Sequence, residues 1–198
     1  MDDRTADLHR SRPLNMYGYS KHLFDLYAQK RGWLDRIVGL KYFNVFGPNE
    51  AHKDDMRSVV NKAFGQICKT GKVQLFKSEH PDYADGEQMR DFFYVKDAVD
   101  ATLHLGSHPV AAGLYNLGSG AASTWIQLVT PIFEELDLPV NIEFIDLPEL
   151  LRGKYQYHTC ADISRLLATG WTGPQHSLDH AVHDYVGNYL VPNRTLEP

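Results

Sequence analysis

A chain of 198 residues with 43% hydrophobic and 23% charged content can bury the core of one domain, or of one and a half. Its formal charge of -5, with Lys and Arg scattered, argues against a nucleic-acid partner, because phosphate-backbone binding calls for clustered basic residues. No apolar run approaches the ~20 residues of a membrane span, the stretch containing Asp2, Asp3, Arg4 and Asp7 lacks a signal-peptide core, and Cys68 and Cys160 read as reduced thiols, so a cytoplasmic protein is expected.

The first expected element is a helix over 15–31, with Asn15 as N-cap, an apolar stripe through Leu23, Phe24, Leu26 and Tyr27, and a stop at Gly32. Tyr17 and Lys21 lie four apart on it and so share one face. A free phenol titrates near ~10, and a neighbouring ammonium favours the phenolate, so the pair can serve as an acid/base couple. The alternative is an amphipathic helix with Tyr17 half buried.

An apolar strand over 37–43 follows, ending in Asn44-Val-Phe-Gly-Pro48, which sets Asn44 and Val45 at its carboxyl end, where open α/β sheets bind ligands. Next come a helix over 58–69, a short strand over 73–76 and a solvated polar loop over 77–88. Strands over 92–95, 113–117 and 141–144 then alternate with helices over 96–105 and 123–136, and an apolar helical stripe runs from Leu178 to Leu190. This alternation is that of an α/β fold. Gly118-Ser-Gly120 follows a strand and precedes a helix, but Ser123 stands where a dinucleotide fingerprint needs its third glycine; the expectation is a tight turn with Ser123 or Thr124 as helix cap. The 10 histidines show no compact zinc spacing, and no metal site is expected; His104 and His108 lie four apart, but the helix is expected to end between them near Pro109.

Four ordered runs, Tyr17-Gly-Tyr-Ser-Lys21, Tyr42-Phe-Asn-Val-Phe-Gly-Pro48, Arg90-Asp-Phe-Phe-Tyr-Val-Lys-Asp97 and Tyr115-Asn-Leu-Gly-Ser-Gly120, resemble the extended short-chain dehydrogenase/reductase family of nucleotide-sugar enzymes. Within it, Glu50-Ala-His-Lys-Asp-Asp-Met56 and Leu150-Leu-Arg-Gly-Lys-Tyr-Gln156 resemble the branch that epimerises a nucleotide-linked heptose at C6. The resemblance implies the C-terminal portion of a Rossmann-type fold plus a small mixed α/β substrate domain. The Rossmann remnant would be 1–43, 94–120 and 156–172, interleaved with a substrate-binding domain of 44–93, 121–155 and 173–198.

It also implies roles. Tyr17 and Lys53 would be acid/base groups on opposite faces of the substrate; Lys21 would tune Tyr17 and hold the nicotinamide ribose of NADP or NAD. Val45 and Lys53 would border the cofactor. Asn44, Phe76, Arg90 and Tyr155 would bind the nucleotide sugar, Arg90 as a planar clamp on its diphosphate; Arg90 could otherwise pair with Asp91 at the surface. Members of the family carry a glycine-rich pyrophosphate cradle upstream of the tyrosine motif, and only Met1 to Arg12 precede Pro13, so a truncated chain without tight NADP binding is expected. The departures are Asp54-Asp55 and Lys62, where the family often has Gly-Ser and a histidine. A homo-oligomer is expected of a complete enzyme, and the alternatives are a sugar 4-epimerase or 4,6-dehydratase, or a non-catalytic remnant or interaction module.

Overall fold

A computed structural model describes residues 5–108 and 111–196. Pro109 and the charges Asp2, Asp3 and Arg4 fall outside them, while the helix expected to end between His104 and His108 does so, at Ser107. In chain order the elements are α1 (Met16–Lys30), β1 (Val38–Tyr42), β2 (Asn44–Phe46), α2 (Val59–Thr70), β3 (Val73–Phe76), β4 (Met89–Arg90), β5 (Phe92–Tyr94), α3 (Val95–Ser107), β6 (Gly113–Leu117), β7 (Ser123–Thr124), α4 (Trp125–Glu135), β8 (Ile142–Ile145), α5 (Ser164–Leu167) and α6 (Leu178–Tyr185), which runs on into a π-helical turn, Val186–Leu190. The fold is α/β. Three separate parallel pairs, β1 with β6, β2 with β5 and β3 with β8, stand beside one short antiparallel pair, β4 with β7.

The helix starts obey local chemistry. The Asn15 side chain accepts from the Gly18 N–H, Ser58 from Asn61 and Ser177 from His180, each satisfying an otherwise orphaned donor of the first turn. Thr124 and Gln127 form a complete capping box on α4. Gly71 ends α2 in the left-handed conformation, with φ 70°.

Strand β5 divides the interior. Successive side chains of a strand point to opposite faces, so Phe92 and Tyr94 enter a core built with α2, α4 and α6, while Phe93 enters a second core with α3, β6, Leu166 and Trp171. Its partner β2 repeats the pattern, with Phe46 in the first core and Val45 against the second. A third, smaller cluster of Leu8, Ala28, Leu34 and Leu114 holds α1 to β6.

Two departures from expectation concern this ribbon. Asn44–Phe46 is a strand rather than a loop: a bond from the Val45 N–H to the Phe43 carbonyl jogs the chain, so that pairing passes from β6 to β5 across a single residue. Residues 77–88 are also more than a solvated loop. Gln88 is fully buried and donates to the carbonyls of Phe76 and Lys77, and Asp85 accepts from the Ser78 N–H.

Candidate active site

Asp91 organises the centre of the site. It is fully buried, and its carboxylate accepts from the N–H groups of Ser119, Gly120 and Ala161 and from the Ser119 hydroxyl. Four donors on one carboxylate explain how the charge survives burial. They also correct the expectation of an Arg90–Asp91 surface pair: Asp91 belongs to the Gly118–Gly120 turn. A Cβ at Gly118 would stand 2.7 Å from Asp91 Oδ2 and 2.6 Å from the Ala161 Cβ, so only glycine lets the turn close on the carboxylate.

With Asp91 held from behind, the preceding Arg90 points the other way and is itself 7% exposed. Its guanidinium carbon lies 5.1 Å from the Tyr155 ring centroid and 5.7 Å from that of Trp125. One N–H of the fork donates to the Met89 carbonyl at 2.8 Å. The Trp125 indole N–H donates to the Tyr155 hydroxyl at 3.0 Å, closing the cage, and Phe76 meets Tyr155 edge to face at 6.3 Å. Burial pulls the Arg90 guanidinium below its ordinary value and pushes the Tyr155 phenol above its own, each partly offset by the neighbouring group. Arg90 stays charged at neutral pH, and a partly desolvated fork of donors is suited to a doubly charged phosphate ester.

Asn44 reaches the same centre by its backbone. Its N–H and its side-chain amide both donate to the Asp91 carbonyl, at 3.2 and 3.1 Å. Asn44, Val45, Phe46, Arg57, Ser58 and Trp125 line a cavity of about 210 Å³, which therefore opens beside the Arg90 cage. A larger cavity of about 300 Å³, bordered by Tyr94, Asp97, Ser119 and His176, contains none of the predicted residues; Asp97 there is already committed to His176 and to the Gln175 N–H.

Lys53 sits on an exposed 3-10 turn, Ala51–Met56, broken at Asp54, whose φ is 47° and ψ -120°. The turn is anchored at its base by Glu50. This carboxylate, 5% exposed, accepts from the Ser58 N–H and hydroxyl and from the Tyr185 hydroxyl on α6. Asn61 donates to the same phenol. Asp54 and Asp55 therefore lie in the turn itself, not at the cap of α2, which Ser58 supplies.

Tyr17 and Lys21 are brought together as the spacing requires. The Lys21 ammonium lies 5.4 Å from the Tyr17 ring centroid, on a face of α1 where Tyr17 is 72% exposed rather than half buried. A partly buried Lys41–Asp25 ion pair fixes α1 to β1. Among the described residues no hydrogen bond or ring contact joins this pair to the Arg90 cage or to Lys53, so the predicted residues form three groups.

Trp125 was not among the predicted residues. Its only signal in the sequence is its place at the first turn after the Thr124 cap, which sets a large aromatic where a helix meets the Arg90 strand. No helix among the described residues is long and apolar enough to cross a membrane.

The chain as a whole resembles known proteins. The chain is 53% identical over 190 residues to the ADP-L-glycero-D-manno-heptose-6-epimerase of Nitratidesulfovibrio vulgaris, covering 96% of this chain and 58% of that protein. The protein of the same name from Fusobacterium nucleatum is 42% identical over 197 residues, covering 96% of this chain and 59% of its own length. The chain thus spans less than two thirds of these relatives. Among solved structures, the Helicobacter pylori ADP-L-glycero-D-manno-heptose-6-epimerase superposes with a TM-score of 0.75 at 28% identity, over 89% of this chain and 52% of that one. A Methanobrevibacter ruminantium UDP-N-acetylglucosamine 4-epimerase, at 24% identity and TM-score 0.76 over 92% and 56% of the two chains, shares the fold. The model of the NAD dependent epimerase/dehydratase family matches residues 2–118, more than half of the chain, and with the relatives' identity it establishes that the chain belongs to that family.

Proposed function

We propose that this chain carries the substrate-binding and acid/base groups of a nucleotide-sugar epimerase that interconverts ADP-D-glycero-D-manno-heptose and ADP-L-glycero-D-manno-heptose at C6. The observation that carries the reading is the buried Arg90 guanidinium caged by Trp125 and Tyr155, with Trp125 also lining the neighbouring cavity of Asn44 and Val45. The 53% identity to a protein named for this reaction supports the choice of sugar.

In this reading the diphosphate binds the fork of Arg90, the adenine lies against Phe76 and Tyr155, and Asn44 positions the sugar. Tyr17 exchanges a proton with the C6 oxygen from one face and Lys53 from the other, because a ketone reduced on its second face needs a proton donor there. NADP, or NAD, supplies the hydride acceptor and donor when bound. Tyr17 and Lys21 suit its nicotinamide ribose: they share one exposed face, and among the described residues neither head group is engaged by a hydrogen bond. Val45 and Lys53 would border the nicotinamide. The residues of β1, α3 and β6 would then belong to the cofactor unit, and those of α2, α4 and α6 to the substrate unit. A cytoplasmic homo-oligomer completes the proposal.

Calorimetric titration of ADP into the 198-residue chain and into Arg90→Met tests it. Loss of a charged hydrogen-bonding group is worth about 1.5–3 kcal/mol, so the variant should bind ADP roughly 10- to 100-fold more weakly. Equal affinity of the two proteins for ADP would remove the basis of the reading, and a preference for UDP or dTDP over ADP would favour a sugar 4-epimerase or 4,6-dehydratase.

A further inference from the structure

A second cluster of chemically able side chains lies away from this site, where the last turn of α4 meets α6. Nδ1 of His183 stands 2.8 Å from Glu135 Oε2, while its Nε2 stands 3.5 Å from Glu134 Oε2 and 3.9 Å from Asp179 Oδ2. A neutral imidazole carries one N–H, so once Nδ1 donates to Glu135 the Nε2 lone pair faces two carboxylate oxygens. In that neutral form three acceptors converge on one point, where a bound cation would take the place of the second ring proton of a charged imidazole.

We infer that His183, Glu134 and Asp179 form a zinc site that staples α4 to α6, with Glu135 as the carboxylate that orients the histidine. Ligand bonds of about 2.0–2.2 Å in a tetrahedron set neighbouring ligand atoms roughly 3.3–3.6 Å apart. The ligand atoms here already lie within 4.8 Å of one another, and the two carboxylates are exposed and free to close the rest. The imidazole selects zinc over calcium or magnesium, which prefer oxygen alone. Two further features fit. Asp179 and His183 are i, i+4 on α6 and so present one face, and a carboxylate on the second ring nitrogen is the usual outer partner of a metal-bound histidine. A Cβ at Gly187 would fall on the Glu135 carboxylate, so this glycine, in the π-helical turn, is what lets Glu135 approach His183. The carboxylates on α4 are remote in sequence from α6, which is why linear histidine spacing does not reveal the cluster.

Titration of chelator-treated 198-residue chain with zinc chloride, followed by calorimetry and thermal melting, tests the site. One zinc ion should bind per chain and raise the melting temperature. Glu135→Gln should weaken binding about 10- to 100-fold, the usual effect of losing an outer partner. His183→Ala should abolish both binding and the rise in melting temperature, while His180→Ala, one turn away and outside the cluster, should retain both. Cobalt(II) should give the visible bands of a tetrahedral site in the parent and not in His183→Ala. Should His183→Ala fail to fold, Asp179→Asn at an exposed position gives the same test. No zinc binding by the parent chain, or zinc binding unchanged in His183→Ala and Asp179→Asn, would overturn the inference.

Discussion

The Arg90 cage and the Tyr17 helix face stand at opposite extremes of the same chain. Arg90 is 7% exposed and its neighbour Asp91 is fully enclosed, whereas Tyr17 is 72% exposed and shares its helix face with Phe24 at 58%. The Arg90 region builds its own surroundings: two cage rings, a four-donor carboxylate and a capped helix hold one charged fork in place. The acid/base pair needs only helical spacing to bring its two groups together. On the proposed roles, recognition would depend on long-range packing and proton transfer on local structure.

Substitutions on each side should separate these dependences. The largest effect is expected at Asp91→Ala, which strands the N–H groups of Ser119, Gly120 and Ala161 and should cost about 3 kcal/mol or more in denaturant unfolding. An unchanged midpoint would break the claim that this carboxylate holds the centre. Asp184→Asn comes next. Burial pushes the Asp184 carboxyl up, but hydrogen bonds from Lys96, Tyr94 and Asn188 more than offset it, and the net direction is down. Its stabilisation is therefore present above the ordinary carboxylate value of 3.8 and lost as pH falls through the depressed folded value. The variant should lose roughly 1.5–3 kcal/mol near neutrality and show a flatter acid limb in a pH series of melts.

Trp125→Phe keeps a ring beside Arg90 but removes the indole N–H to Tyr155, so a loss of about 1 kcal/mol in ADP binding is expected, by calorimetry. Smallest is Tyr17→Phe. At an exposed position its stability should stay within about 0.5 kcal/mol of the parent, while epimerisation by any active form of the enzyme should fall to a small fraction. A large stability loss there would erase the contrast between the two regions.

Much of the fold was legible because its signals are local. Asn15 and Gly32 bracket α1, Val73–Phe76 and Gly113–Leu117 read as apolar runs between breakers, and Thr124 announces α4. Strands β2, β4 and β7 were not, since two or three residues are too few for any periodicity to register and these strands exist only through pairing with distant ones. The same limit applies to the site. Tyr17 with Lys21, and the cage members Arg90, Tyr155 and Phe76, follow from motif and resemblance, but the burial of Asp91 and the part played by Trp125 arise from contacts that no linear window contains.

The anchoring of the Lys53 turn has a further consequence. Glu50 is bound at one end to α6 through Tyr185 and at the other to the start of α2 through Ser58, so the span between Glu50 and Ser58 is a short tether fixed at both ends. Ordering a backbone residue costs roughly 1–2 kcal/mol, and a tether this brief leaves few residues to order when a ligand arrives. In the proposed role Lys53 would thus be drawn onto a sugar at small entropic cost, and cutting the Tyr185 anchor would enlarge that cost without removing any of the residues proposed to meet the sugar.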